Sequence, residues 1–414
     1  MKLLVLLALF ISLETRAQDA LVSEFRTLVS QSKVGTLKEQ SFCYFKDNVV
    51  SGFQTQKLQR IASVTKLMST LLISETMNLH TKFTTRFYLT QDALHIEGGR
   101  DPYFEEDKLL VLFQALNELG VKTLKQVSFN KDFLFNDLAL GSYERITPEK
   151  SRTRLAAYLN PKNITLRRTR WESVKKFASE EGISLPSGVP VVTSGKVFIS
   201  EANPLADKNP ALYLHTSRPL HSLLKTMNVQ SKNYVAENIY SAGSTIKSLA
   251  ALFTENGINE NTYRIYNGSG LPVIRKNSRL DNLATCSTVL RVIGLLSESL
   301  KHHHLQLHDV IAVNGGKDLG SFRNRFEDFP ETHESVLSKT GTLKHTSSLA
   351  GVLLTGDVMP FAILNHSVNS SVSRSFQDRF VARMFDFLGP PVPIDYLKIS
   401  IFPWDGSDFL VPAY

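Results

Sequence analysis

Cysteine and tryptophan are scarce in this chain, with two of each among 414 residues. Two thiols, Cys43 and Cys286, exclude a disulfide-rich scaffold and a four-thiolate zinc site. A single pairing in an oxidising compartment and two separately buried thiols both stay open. Charged residues make up 21% of the chain and aromatics 9%, against 42% hydrophobic. That balance excludes a disordered or collagen-like polymer and leaves ample apolar material for a core, in two or three domains at this length. Past the N-terminus no apolar run approaches the ~20 residues of a bilayer span, so no transmembrane anchor is expected. There is no internal repeat, and no dense Lys/Arg stripe interleaved with aromatics, which argues against nucleic acid as a partner.

What is present begins at the N-terminus. Lys2 precedes the apolar run LLVLLALFISL, and small residues surround a cut site after Ala17. This pattern is expected to be a signal peptide over 1–17, with no Cys at the cut site for a lipid anchor, placing the mature protein in the periplasm or outside the cell. Net charge is +8, and +7 without the signal. A basic exported protein is expected to meet anionic material, and wall polymers with free carboxylates fit that expectation better than nucleic acid.

Along the chain, residues 38–60 read as two strands about an Asp47-Asn48 turn, followed by a helix over 63–77 with Ser63 at its start. Strands at FTTRFYL and ALHI end at Gly98-Gly99; a helix over 105–119 stops at Gly120 and leads to the strand-like KTLKQVSF. Residues 136–170 read as polar and irregular. Trp171, Val174 and Phe177 mark one face of the next helix. From Pro219 the pattern is helical, with Leu220, Leu223, Leu224 and Met227 on one face and a further helix running to Gly257. Another helix covers 282–300. SVLSKTGT, SLAGVLL and VMPFAILN read as strands, the last two joined at Thr355-Gly356-Asp357, before a helix with Phe376, Phe380, Met384 and Phe387 on one face. The order predicts an α+β domain whose sheet uses both chain ends, interrupted by an inserted β–α–β unit.

Three short motifs carry chemistry. Ser63-Val64-Thr65-Lys66 puts a hydroxyl and an amine three residues apart on one helix face. A serine hydroxyl is a weak nucleophile that needs an adjacent base, and a desolvated lysine near another cation can serve. The tetrad alone says little, since S-x-x-K also occurs at Ser30, Ser128, Ser173, Ser222 and Ser244. Ser231-Lys232-Asn233 is an S-x-N triad at a helix start, a pattern repeated at Ser128 and Ser367. Lys339-Thr340-Gly341-Thr342 occurs once, on a strand, where the glycine allows close approach of another backbone. Taken in this order and context, the three form the signature of serine penicillin-recognising enzymes.

More of the chain resembles one family, the penicillin-binding protein 4 group of D-alanyl-D-alanine carboxypeptidases and endopeptidases (the S13 serine peptidases). The resemblance rests on IASVTKLMSTLL, GGRDPYF at 98–104, LHSLLKTMNVQSKNYVAENI at 220–239, YNGSGLP at 266–272 and LSKTGTLKHTSSLAGVL at 337–353. It implies a β-lactamase/transpeptidase-like domain over 18–81 and 215–414, an antiparallel sheet with helices on both faces, and a smaller inserted α/β domain over 82–214. Lys66 and Ser231 lie 165 positions apart, matching the family's insertion between its first two motifs. The stretch is short enough that a third, nested domain is expected to be missing or reduced to the basic loop around 136–170. Lys232 stands where the family often has Asp.

The resemblance also implies roles. Ser63 attacks a D-Ala-containing peptide bond of peptidoglycan and forms an acyl-enzyme that β-lactams trap covalently. Lys66 takes the serine proton, Ser231 relays it to the leaving amine, and Asn233 holds Lys66 and a substrate amide. Lys339 attracts the substrate carboxylate, and Thr340, Gly341 and Thr342 line the substrate. The backbone N–H groups of Ser63 and Thr342 make the oxyanion hole. No cofactor and no metal are called for. His302, His303, His304 and His308 are expected to form a solvated helix end rather than a metal site. Trp171 and Trp404 are expected to pack, and Gly315-Gly316 and Asn267-Gly268-Ser269-Gly270 to shape loops near the cleft. The tail from Gly389 is undecided. Two other readings stand beside the peptidase: a β-lactamase, against which the missing E-x-x-L-N element argues, and a non-catalytic wall-binding protein, against which the intact motifs argue.

Overall fold

The structure, a computed structural model, describes residues 20–135, 146–315, 318, 320–367, 369–396, 398, 400, 402, 404 and 409–413. The expected signal peptide, residues 136–145 of the basic stretch and Gly316 lie outside the described residues. The chain divides into two compact units, Met1–Met77 with Met227–Ile399, and Asn78–Thr226 with Ser400–Tyr414.

The first unit is organised on a six-stranded antiparallel sheet. Its order is Ala312–Val313, Val336–Leu343, Thr346–Leu354, Val358–Asn365, Gln40–Lys46, Val49–Phe53. Late strands join an early one where Gln40 faces Asn365 and Phe42 faces Ile363. Both chain ends thus contribute to one sheet. The first hairpin turns at Asp47 and Asn48, with φ of 50° and 63°. Two consecutive left-handed residues match the right-handed twist of the flanking strands, and Asp and Asn tolerate that region.

Alternation along Gln40–Lys46 explains the layers. Phe42 points to one face, its ring 4.5 Å from Phe25 of the helix over 20–32 and 4.8 Å from Phe380 of Ser370–Leu388. Its neighbour Cys43 points to the other face and is disulfide-bonded to Cys286, the first residue of the helix Cys286–His302. Successive side chains of a strand take opposite faces, so helices cover both sides of the sheet. In Ser370–Leu388 the stripe of Phe376, Phe380 and Met384 closes with buried Phe385; Phe387, expected on that face, is half-buried. The helical stretch expected to reach Gly257 is two helices, Asn233–Ile246 and Leu249–Glu255. Ser248 starts the second by accepting from the Ala251 N–H, a strong N-cap the apolar periodicity conceals.

The second unit has a mixed sheet in the order Val411–Pro412, Ala211–Thr216, Thr84–Leu89, Ala93–Glu97, Thr123–Phe129, Thr193–Ile199. The last three strands run parallel, which requires crossover connections. Glu106–Glu118 supplies one; Pro148–Leu159 and Ile164–Glu180 supply the other. The reading of 136–170 as irregular is therefore corrected for its described part. Thr147 caps Pro148–Leu159 by accepting from Lys150 N, and Leu155, Tyr158 and Leu159 are buried along it. Dense arginine and lysine obscured the stripe, and two arginines are themselves inside: Arg167 is fully buried and donates to the Asn160 carbonyl at 2.9 Å. Trp171 lies in the core and donates to the Pro186 carbonyl. The tail, undecided from sequence, places Phe402, Trp404, Phe409 and Leu410 in this same core.

Candidate active site

The site is built within the first unit around a strained turn. Ile61 donates its N–H to the Asn282 carbonyl, and Ala62 follows at φ 48°, a left-handed conformation that costs a Cβ-bearing residue about 1–2 kcal/mol. Two glycines allow other backbones to close on that turn. A Cβ on Gly270 would fall 1.9 Å from the Ala62 carbonyl oxygen, and one on Gly341 2.7 Å from the Ile61 oxygen and 3.0 Å from Ser63 N. Ser63 leaves the turn half-buried, immediately before the helix Thr65–Ser74, where the helix dipole favours negative charge.

All ten residues of Thr65–Ser74 are buried, Lys66 among them at 0% exposure. Its amine meets three acceptors: Ser63 Oγ at 3.0 Å, Asn233 Oδ1 at 2.8 Å and the Ser269 carbonyl at 2.9 Å. No carboxylate is among them. Burial and the nearby Lys339 cation hold the Lys66 ammonium well below the usual lysine range, with Glu237 pulling weakly the other way. The geometry then has a chemical consequence. A neutral amine has two N–H bonds and one lone pair; two carbonyl oxygens can only accept. With Asn233 and Ser269 taking both N–H bonds, the lone pair is left facing the Ser63 hydroxyl.

Lys339 is equally buried, and burial pushes its amine down to about 7. It donates to the Thr340 carbonyl at 2.9 Å. Ala312 and Val313 pair only with Ser338 and Leu337, so from Lys339 onward this edge of Val336–Leu343 has no strand partner among the described residues. Unpaired N–H and C=O groups beside a nucleophile can receive an extended peptide as an added strand.

Most of the residues singled out in the sequence therefore converge. Ser63, Lys66 and Asn233 share hydrogen bonds, and Gly341 brings the 339–342 edge against Ser63. Ser231 is not a partner of Lys66; it sits two residues before Asn233 in the turn ahead of Asn233–Ile246, at φ 55°. Glu237 and Asn282 escaped the sequence reading, and Ser269 was expected only as part of a loop near the cleft. Ser269 supplies the third acceptor for Lys66. Glu237 accepts from Ser269 N at 3.0 Å and Gly268 N at 3.3 Å. Asn282 donates to Thr65 Oγ1 and the Asn267 carbonyl while its own Oδ1 accepts from Tyr266 N. One signal was available: Glu237 lies four residues beyond Asn233, on the same helix face. The histidines lie elsewhere; His303 contacts the Ser74 carbonyl through Nε2, and His308 lies beside Asp309.

This geometry and fold define a class, the α+β serine enzymes of the penicillin-recognising type. Residues 181–385 match the family model described as the D-Ala-D-Ala carboxypeptidase 3 (S13) family. Among solved structures the chain is similar to Bd3459, a predatory peptidoglycan endopeptidase from Bdellovibrio bacteriovorus, with a TM-score of 0.75 and 22% identity over 90% of this chain and 98% of that one. Bd3459 is also known acylated by penicillin G, in complex with the immunity protein Bd3460. Bd0816 from the same organism, solved with that immunity protein, gives 0.71 and 25% over 90% and 99%. Penicillin binding protein 4 (dacB) from Haemophilus influenzae gives 0.55 and 15% over 87% and 99%. No curated protein matches the chain in sequence. The chain therefore resembles the S13 peptidases over 181–385 and has the fold of the penicillin-binding protein 4 type.

Proposed function

We propose that the protein is a serine D-Ala-D-Ala carboxypeptidase and DD-endopeptidase that cleaves stem peptides and cross-links of peptidoglycan. The observation that carries this reading is the Lys66 amine, desolvated, 3.0 Å from Ser63 Oγ and held by two neutral carbonyls. In the proposed reaction the Ser63 oxygen attacks the carbonyl carbon next to D-Ala and its proton passes to the Lys66 amine. The oxyanion is met by the N–H groups of Ser63 and Thr342, each donor of such a hole contributing about 2.7–4 kcal/mol. The C–N bond breaks, the proton taken up by Lys66 is delivered to the leaving amine with Ser231 as the proposed relay, and water hydrolyses the acyl-enzyme. Asn233 holds Lys66 and a substrate amide; Lys339, as the cation, binds the substrate carboxylate, and Thr340, Gly341 and Thr342 hold the peptide along the open edge. No step needs a cofactor.

In domain terms the reading assigns catalysis to 18–81 with 215–399, an accessory role to the insert over 82–214 together with the tail from Ser400 that packs into its core, and export to a signal peptide over 1–17. The site of action is then the periplasm or the cell exterior. Among the described residues no helix is long and apolar enough to cross a membrane. β-Lactams are covalent inhibitors on this reading, as the penicillin-acylated form of Bd3459 suggests by analogy. Endopeptidase activity beside carboxypeptidase activity is proposed from the unpartnered 339–342 edge, which can take up an extended peptide as an added strand.

Intact mass after incubation with labelled penicillin tests the assignment. A long-lived adduct in the wild type that is absent from Ser63→Ala is the expected result. Rapid turnover indicates a β-lactamase, and no adduct at all indicates a non-catalytic binder. Turnover of a pentapeptide alone, with a cross-linked dimer untouched, removes the endopeptidase half.

A further inference from the structure

The turn Asn267-Gly268-Ser269-Gly270 is held on every side. Gly270 N donates to Asn267 Oδ1 at 2.9 Å, and the carbonyl of that same 269–270 peptide accepts from Lys66. The neighbouring 268–269 peptide gives its oxygen to Ser69 Oγ at 2.8 Å and its N–H to Glu237 Oε1. The second carboxylate oxygen takes Gly268 N. A half-buried carboxylate thus spends both oxygens on backbone amides of the loop that carries the third acceptor of the lysine. A glutamine could satisfy one of those amides but would present an N–H donor to the other.

We propose that Glu237 is a positioning residue of this site: its carboxylate fixes the Gly268–Ser269 turn so that the Ser269 carbonyl directs the Lys66 lone pair at Ser63, and its charge sets the pH at which that lone pair becomes available. The inference rests on Lys66 acting as the base, the reading proposed above. Among the described residues, the charged and titratable groups acting on this pair come from three elements. Lys66 itself projects from Thr65–Ser74, and Lys339 acts on it from the strand Val336–Leu343, favouring the neutral amine. Glu237 acts from Asn233–Ile246 and favours the ammonium, with the Tyr240 phenol beside it on that helix. Removing the carboxylate charge therefore lowers the pH at which Lys66 loses its proton.

The test is the pH profile of the second-order rate of Ser63 acylation by penicillin, for the wild type, Glu237→Gln, Glu237→Asp and Ser69→Ala. Glu237→Gln is expected to lower the plateau and to move the acid limb to lower pH, because an opposite charge that favours the ammonium is removed. Ser69→Ala loosens the same turn without touching charge and should lower the plateau with the limb unmoved. Glu237→Asp draws the carboxylate back by one methylene and should move the limb in the same direction by less. A Glu237→Gln limb that coincides with the wild type overturns the proposal. If that variant does not fold, an Asp limb coinciding with the wild type does so instead. A wild type that forms no Ser63 adduct overturns the underlying reading, whereas an acylating wild type with unmoved limbs overturns only the role of Glu237.

Discussion

Two lysines, one in each unit, are equally hidden from water. Lys66 and Lys108 both have 0% exposure. Lys108, on the helix Glu106–Glu118, is ion-paired with Asp101, whose side chain is 2% exposed. Lys66 is met by a hydroxyl and two carbonyls, with a second cation nearby. A buried ammonium compensated by a carboxylate is a structural pair. One surrounded by neutral acceptors is poised to lose its proton and serve as a base. Burial alone does not separate these roles; the partner does.

The largest expected effects break this comparison directly. Lys66→Met should reduce penicillin acylation by about 10²–10⁴-fold, the usual worth of a general base, without loss of thermal stability. Lys108→Met should leave acylation of the folded protein unchanged and destabilise it by about 3–5 kcal/mol in denaturant unfolding, because Asp101 is left buried and unpaired. Adding Asp101→Asn to it should recover much of that loss. A stable single Lys108→Met variant would show that the pair is not structural.

Next in size is the covalent tie. Cys43 and Cys286 close a separation of 243 residues in the first unit. Replacing both by alanine should cost about 2–5 kcal/mol, read as a lowered unfolding midpoint, with acylation of the folded protein retained.

The last contrast is drawn through pH. The Lys339 amine is pushed down to about 7 by burial, while in the unfolded chain it titrates at ~10.4. Between those values the unfolded chain binds a proton that the folded one lacks. Stability therefore rises with pH across that window, by at most ~1.4 kcal/mol per pH unit from this group, and the cost is complete below about 7. Lys66 contributes in the same direction. Lys339→Met should flatten the slope, raise the melting temperature at pH 7 and increase KM for substrates ending in a carboxylate. A slope unchanged by that variant would show that Lys339 is not the group responsible.

Much of this arrangement was legible in the sequence because it is local. Ser63 and Lys66 meet through helical spacing, and the Asp47-Asn48 turn announces itself by residue type. The 336–343, 346–354 and 358–365 strands follow from short apolar runs between turns. Helix boundaries at Ser248 and over 148–170 were harder, since a cap and a basic surface masked the periodicity. The roles of Ser269 and Glu237 escaped for another reason: Ser269 acts through its carbonyl, which every residue possesses, and Glu237 acts on two backbone amides.

The sequence by itself determined the reactive groups, their order and the elements that carry them, because side-chain chemistry and the periods of helix and strand are written residue by residue. Only the tertiary structure decided whether the two cysteines meet, which lysine lacks a carboxylate, where the tail packs and which carbonyl completes the shell of Lys66. Those depend on sheet register and on glycines that let distant backbones touch, and register is fixed only when the whole core closes.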